Sequence, residues 1–163
     1  MRTIAIDAMG GENAPEAIIE AVLKAKGEMP DTKFLLFGDK EQLRKLIPAD
    51  QINDQLGVVS TTEIIEDEDE PVRAIRKKKD SSMVVAANYV KEGKADALLS
   101  LGNTGALLAC GIFIIGRIKG IVRPGLMPTL PAQNSDDGFH MVDVGANAKS
   151  KPEYLLHWAQ MAP

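Results

Sequence analysis

The chain is 163 residues long, 45% hydrophobic and 26% charged, a balance that fits one globular domain able to bury a core without disulfides or metals. Its formal net charge of -4 disfavours bulk attraction to nucleic acid, and its single cysteine, Cys110, cannot form an internal disulfide and suits a reducing cytosol. Met1-Arg2-Thr3 read as running straight into a strand rather than into a secretory signal, and the longest apolar run, residues 105–116, is shorter than the roughly 20 residues that a membrane-spanning helix needs.

Strand-like and helix-like segments alternate. Residues 3–7 read as a short buried strand, and Met9-Gly10-Gly11 as a turn. Pro15 opens a helix to about Lys26, with Ala17, Ile18, Ala21, Val22 and Ala25 as its apolar stripe. A second strand is expected over 33–37, a helix over 40–47 that stops before Pro48, and a third strand over 57–60. Pro71 starts another helix, and a further one begins near Ser81-Ser82. Residues 95–100 form the next strand and lead through Gly102-Asn103 into a helix over 104–115. Residues 124–131, with three prolines, read as irregular, 133–138 as a polar loop, 139–144 as a buried strand, and 152–160 as a last helix. This alternation predicts an α/β fold, a mostly parallel sheet with helices on both faces, as one domain over 1–163.

In such sheets ligands bind outside the C-terminal ends of the strands. Asp7-Ala8-Met9-Gly10-Gly11-Glu12 follows the first strand, and Gly10 and Gly11 allow backbone N–H groups to approach a ligand. A tight strand-to-helix turn with Asp7 as acceptor accounts equally well for that pattern. Ser100-Leu101-Gly102-Asn103-Thr104-Gly105 joins a strand to an apolar helix, so its N–H groups, the Asn103 amide and the Thr104 hydroxyl suit an anion or simply cap the helix. From Arg73 to Lys79 five of seven residues are basic, and Ser81 and Ser82 follow. That group suits phosphate or a developing oxyanion, or else pairs with the acidic run 63–70 as a solvated face. Asp143-Val144-Gly145-Ala146-Asn147 is a fourth candidate, at a strand end. Dinucleotide and P-loop fingerprints, metal-ligand spacing and a nucleophile elbow are all missing from the sequence. Cys110, within an apolar helix, reads as a packed small hydrophobe.

Taken in order, Asp7-Ala8-Met9-Gly10-Gly11, Asn13-Ala14-Pro15, Asp69-Glu70-Pro71 through Met83, Gly102-Asn103-Thr104-Gly105-Ala106-Leu107, Gly116-Arg117-Ile118-Lys119-Gly120 with Arg123-Pro124, Pro128-Thr129-Leu130-Pro131, Asp143 to Asn147 and Lys151-Pro152-Glu153 resemble the bacterial phosphate acyltransferase family of phospholipid synthesis. Two departures stand out. Glu12 replaces the family's aspartate after Met-Gly-Gly, and family members continue well beyond this length, so the chain resembles their N-terminal half. The resemblance implies a three-layer, Rossmann-like fold of the isocitrate/isopropylmalate dehydrogenase-like kind, incomplete here.

It also implies that acyl groups pass from acyl carrier protein to inorganic phosphate, giving acyl phosphate, without a cofactor or metal. By motif position Arg76 and Lys78, with Ser81 and Ser82, would hold phosphate or the oxyanion. Gly10, Gly11, Gly102, Asn103 and Thr104 would complete the anion site, and Asp7 and Asp143, with Asn147 beside the latter, would orient these groups or the phosphate proton. The expected partners are acidic acyl carrier protein, received by cations such as Arg117, Lys119 and Arg123, and a second copy in a homodimer. The expected place is the cytoplasm, with peripheral membrane association and no nucleic acid. A short-chain acyl-coenzyme A phosphotransacylase and a truncated non-catalytic binding form remain open alternatives.

Overall fold

The computed structural model describes residues 1–133 and 135–162. The chain divides into two compact units, Met1–Gly116 and Arg117–Pro163.

In the first unit, β1 (Arg2–Asp7), β2 (Thr32–Gly38), β3 (Leu56–Ser60) and β4 (Ala97–Leu99) form a parallel sheet in the order β3-β2-β1-β4. The elements expected here from sequence are all present, with ends moved by a few residues. Strand side chains alternate between faces. Ile6, Phe34 and Leu36 face α1 (Glu16–Glu28) and α2 (Lys40–Leu46), where they pack with Ile18, Val22 and Leu43. Ala5 and Phe37 face the other way, onto Ala86 of α4 (Ser82–Lys91), and the Phe37 and Tyr89 rings meet edge to face at 4.8 Å. The result is three layers.

Two shorter helices complete this unit. Glu70 caps α3 (Pro71–Lys77) by accepting the N–H groups of Val72 and Arg73. α5 (Thr104–Cys110) is shorter than the expected 104–115, because residues Gly111–Ile115 continue as a π-turn. The wider i→i+5 winding begins at Gly111, which has no Cβ, and Gly116 ends the segment at φ +103°.

The strand order places the topological switch point between β1 and β4. The chain steps outward from β1 through β2 to β3, then returns to the other side of β1. Ligands gather at such a point because the loops above the two strands diverge. Here those loops are 8–15 and 100–103.

The second unit corrects two expectations. β5 (Thr129–Ala132) lies within the segment expected to be irregular, and it pairs antiparallel with β6 (Ser135–His140). The strand expected over 139–144 therefore sits earlier, and the polar loop expected over 133–138 is largely strand; Asn134 lies outside the described residues. The register shifts between Leu130 and Ala132, at Pro131, which has no N–H to give to the ladder. α6 (Pro152–Met161) buries Tyr154 and Trp158, and the Trp158 indole donates to the Arg123 carbonyl at 3.0 Å.

The core account predicts a large cost for truncating the residue at the centre of the sheet. Phe37→Ala should lower unfolding free energy by about 3–5 kcal/mol in urea titrations, and Phe37→Leu by much less.

Candidate functional site

Asp7 is the last residue of β1 and is 2% exposed. Its carboxylate accepts the Met9 N–H at 3.2 Å and the Ser100 hydroxyl at 2.7 Å. The Ser100 oxygen in turn accepts the Gly102 N–H at 3.1 Å. Asp7 therefore ties the loop above β1 to the loop above β4. Gly10 is required at this crossing, since a Cβ there would lie 2.5 Å from Asp7 Oδ2 and 3.0 Å from Gly102 Cα. Gly11 has φ +113°, a conformation that glycine adopts without strain. Sequence reasoning named Asp7, Gly10, Gly11 and Gly102 but missed Ser100 as their link. The available signal was a hydroxyl two residues before a glycine in a strand-to-helix loop.

Asn103 extends the tie. Its side-chain oxygen accepts the Ala106 N–H at 2.9 Å, capping α5. Its amide donates to the carbonyls of Glu66, Asp67 and Asp69, each at 3.1 Å. One side chain thus starts a helix and gathers the acidic loop, with its donors committed to protein carbonyls. Thr104 follows it in an exposed position. Gly105 lets α5 approach α3, since a Cβ there would come within 2.6 Å of Pro71 Cγ.

The basic run spans α3 and the turn that joins it to α4. Lys78 donates to the Ile64 carbonyl at 2.8 Å and pairs with Asp69, whose carboxyl is held below its ordinary pKa chiefly by that bond. This is the one ion pair between the basic run and the acidic run among the described residues. The side chains of Arg73, Arg76, Lys77 and Lys79 are exposed and make no hydrogen bond or ion pair to a described residue.

Ser81, at the start of α4, is 0% exposed, and its hydroxyl has no hydrogen-bond partner among the described residues. Ser82 is also buried, and its N–H donates to the Glu63 carbonyl. The first N–H groups of a helix have no partner within it. Those of Ser81 and Ser82 bond to Lys78 and Glu63, while those of Met83 and Val84 find no acceptor among the described residues. The start of α4 thus offers two N–H donors and one buried, unused hydroxyl at the positive end of a ten-residue helix. A second unused buried hydroxyl, Thr61, follows β3 and was not singled out from sequence. Its signal is the run Ser60-Thr61-Thr62 at a strand end.

A groove of about 600 Å³ lies beside the first loop, lined by Met9, Gly11, Pro15, Lys45 and Ile64 among others. Its size falls within the usual range of small-molecule sites, about 300–1,000 Å³.

Asp143 and Asn147 form a network within the second unit. The Asp143 carboxylate accepts the N–H groups of Leu126, Ala146 and Asn147 and the Asn147 amide. The other donor of that amide goes to the Pro124 carbonyl at 3.0 Å. Burial pushes the Asp143 pKa up, but the four donors outweigh it and leave the group below its ordinary value. Among the described residues no set of three His, Cys, Asp or Glu side chains is placed to hold a metal, and no helix is long and apolar enough to cross a membrane.

Two measurements check these electrostatics. Burial first, and the Asp7 charge second, push the Cys110 thiol up to about 12. Cys110 should therefore resist alkylation at pH 8 in the native chain and react on unfolding. Asp143, with a lowered folded pKa, stabilises the fold above its ordinary value of 3.8 and loses that contribution as pH falls through the lowered value. Asp143→Asn should flatten the acid limb of the stability curve, and an unchanged limb would remove Asp143 from that role.

Residues 2–162 match a family described as fatty acid synthesis protein. The chain is 91% identical over 162 residues to a phosphate acyltransferase of Lactobacillus helveticus, which covers 99% of this chain and 49% of the relative. It is 91% identical over the same length to a phosphate acyltransferase of Lactobacillus acidophilus. Against a phosphate acyltransferase of Ligilactobacillus salivarius it is 54% identical over 160 residues, 98% of this chain and 47% of the relative. The chain spans about half the length of the curated relatives it matches.

Proposed function

The chain belongs to the fatty acid synthesis protein family, and from that premise we propose that it carries the phosphate-binding part of an acyltransferase acting on acyl-acyl carrier protein and inorganic phosphate. The observation that supports this most is the start of α4, where a fully buried Ser81 hydroxyl and two N–H groups have no partner among the described residues. A buried polar group without a bond costs about 1–3 kcal/mol, so its retention suits a ligand that supplies the missing acceptor. Arg76, in the last turn of α3, has a guanidinium that bonds to no described residue, suited to phosphate oxygens.

In the reaction, a phosphate oxygen attacks the thioester carbonyl carbon and the carbon–sulfur bond breaks. The carrier's sulfur leaves with the bonding electrons and takes up a proton. Phosphate is itself the nucleophile, which agrees with a buried, unreactive Cys110. Ser81, Ser82 and Arg76 bind phosphate in this reading, and Gly10, Gly11, Gly102 and Thr104 border the site. Asp7, Asn103 and Lys78 act as positioning residues, because each is bonded to the loops around that site. The groove beside Met9 and Lys45 receives the thioester end of the acyl donor. Asp143 and Asn147 hold a loop within the second unit. The reading extends to a homodimer in the cytoplasm with peripheral membrane association.

The test uses acyl-phosphate formation from acyl carrier protein thioester in a full-length context bearing these residues. A hydrogen bond to a charged ligand is worth roughly 1.5–3 kcal/mol, so Arg76→Ala and Ser81→Ala should each raise the phosphate KM about tenfold or more. Ser81→Ala should leave thermal stability unchanged or slightly raised, since it removes an unpaired buried hydroxyl. Unchanged kinetics in both variants, or equal turnover with coenzyme A thioesters, would count against the proposal.

A further inference from the structure

A second hollow of the first unit, about 170 Å³, lies on the α1 face of the sheet beneath the loops at the switch point. Its floor is Ile4 and Ile6 of β1, and one wall is Ala17, Ala21 and Ala25 of α1. Leu99 of β4, with Leu101 just beyond it, forms the other. Leu99 and Ile6 are register partners, so their side chains share that face. Apart from Asp7 and Ser100 at the upper end, every lining side chain is apolar. The hollow is open, because β4 is an edge strand, Ala17 and Ala21 are exposed, and Leu99 and Leu101 are 49% and 68% exposed. An apolar ligand laid here would remove that surface from water.

The hollow adjoins the groove assigned to the thioester end of the acyl donor. Glu16 lines the groove and Ala17, the next residue of α1, lines the hollow. Gly11 lines the groove and Leu101 the hollow, and a Cβ at Gly11 would stand 3.2 Å from the Leu101 Cβ. The two spaces therefore meet across the contact of Gly11 with Leu101. At that end Asp7 and Ser100 bond to each other and to the Met9 and Gly102 N–H groups, which leaves the apolar walls to decide what enters.

Shape narrows the choice of occupant. From Ala17 to Ala25 the α1 wall runs about 12 Å, at the helical rise of about 1.5 Å per residue. The volume is below the roughly 300 Å³ at which sites for drug-sized ligands begin. A space this long and slender suits a single unbranched chain rather than a strand or helix with its side chains. We propose that it takes the alkyl chain of the acyl donor, entering over Leu101, and that Ala17, Ala21 and Ala25 set the chain length that is favoured. The identity of the ligand rests on the acyl-transfer reading, but the residues are distinct from those that hold phosphate.

The test begins with the 163-residue chain, titrated with octanoyl-N-acetylcysteamine, a thioester that carries neither phosphate nor carrier, and followed by ¹H–¹⁵N NMR. Its acetyl counterpart is the control. Saturable shifts should appear at the amides of 17–25 and 98–101 with the octanoyl probe and not with the acetyl one. Ala21→Leu puts a good helix former into the hollow and should weaken octanoyl binding about tenfold, roughly the loss of two buried methylene groups. Glu20→Leu, which adds the same side chain outside the hollow, should leave binding unchanged. In the full-length context Ala21→Leu should raise the KM for a hexadecanoyl carrier thioester several-fold and leave the phosphate KM and the turnover of a butanoyl thioester as they are. The site is overturned if the octanoyl probe gives no saturable shift at 17–25 and 98–101, if the acetyl probe gives the same shifts, or if they survive Ala21→Leu. Strong protection of 17–25 and 98–101 from hydrogen exchange in the full-length context, before any donor is added, would show the hollow filled by protein and overturn it too. The titration needs no turnover, so a failure to form acyl phosphate would count against the reaction and not against the hollow.

Discussion

The hydrogen bond from the Ser100 hydroxyl to the Asp7 carboxylate joins two loops that the sheet order would otherwise let diverge. It is a demanding interaction. A carboxylate buried at the end of the central strand, with no cation bonded to it, must recover its lost hydration from a few donors. The Met9 N–H and the Ser100 hydroxyl supply them, and both come from the loops at the switch point. Glycine at 10 and 102 lets the two backbones touch at that crossing. Residues 93 positions apart are thereby fixed to one another above the sheet.

From that crossing the order passes outward. Asn103 lies next to Gly102 and gathers the carbonyls of Glu66, Asp67 and Asp69. Asp69 holds Lys78, and Lys78 accepts the Ser81 N–H through its carbonyl. Polar groups along this path are paired until Ser81, whose buried hydroxyl is not. The contrast gives the unpaired hydroxyl its meaning. In the proposed reading a ligand completes the pattern at Ser81.

Much of the first unit was legible in the sequence because its signals are local. Alternation along β1 and β2, the apolar stripe of α1, and Pro71 as a helix start each operate within a few residues. The β5–β6 pair was not legible. Ser135-Asp136-Asp137-Gly138 has no apolar alternation, and it is a strand because it pairs with 129–132, a fact of register rather than local pattern. The candidate site divides in the same way. Glycines and serines above the strands were readable as anion-site residues. The commitment of the Asn103 amide to residues 66–69, and of Ser100 to Asp7, depends on partners 34 to 93 positions away. The abundance of charge in 63–79 suggested general pairing, but among the described residues one bridge forms there and the other basic side chains make none.

The most direct measurement of this account is hydrogen–deuterium exchange on Asp7→Asn beside the parent chain. If the Asp7 carboxylate joins the loops, exchange should quicken together at 8–11, at 100–103 and, through Asn103, at 66–69, while β2 and β3 keep their protection. Faster exchange confined to 8–11, with 100–103 and 66–69 unchanged, would contradict it and leave Asp7 as an acceptor within its own turn.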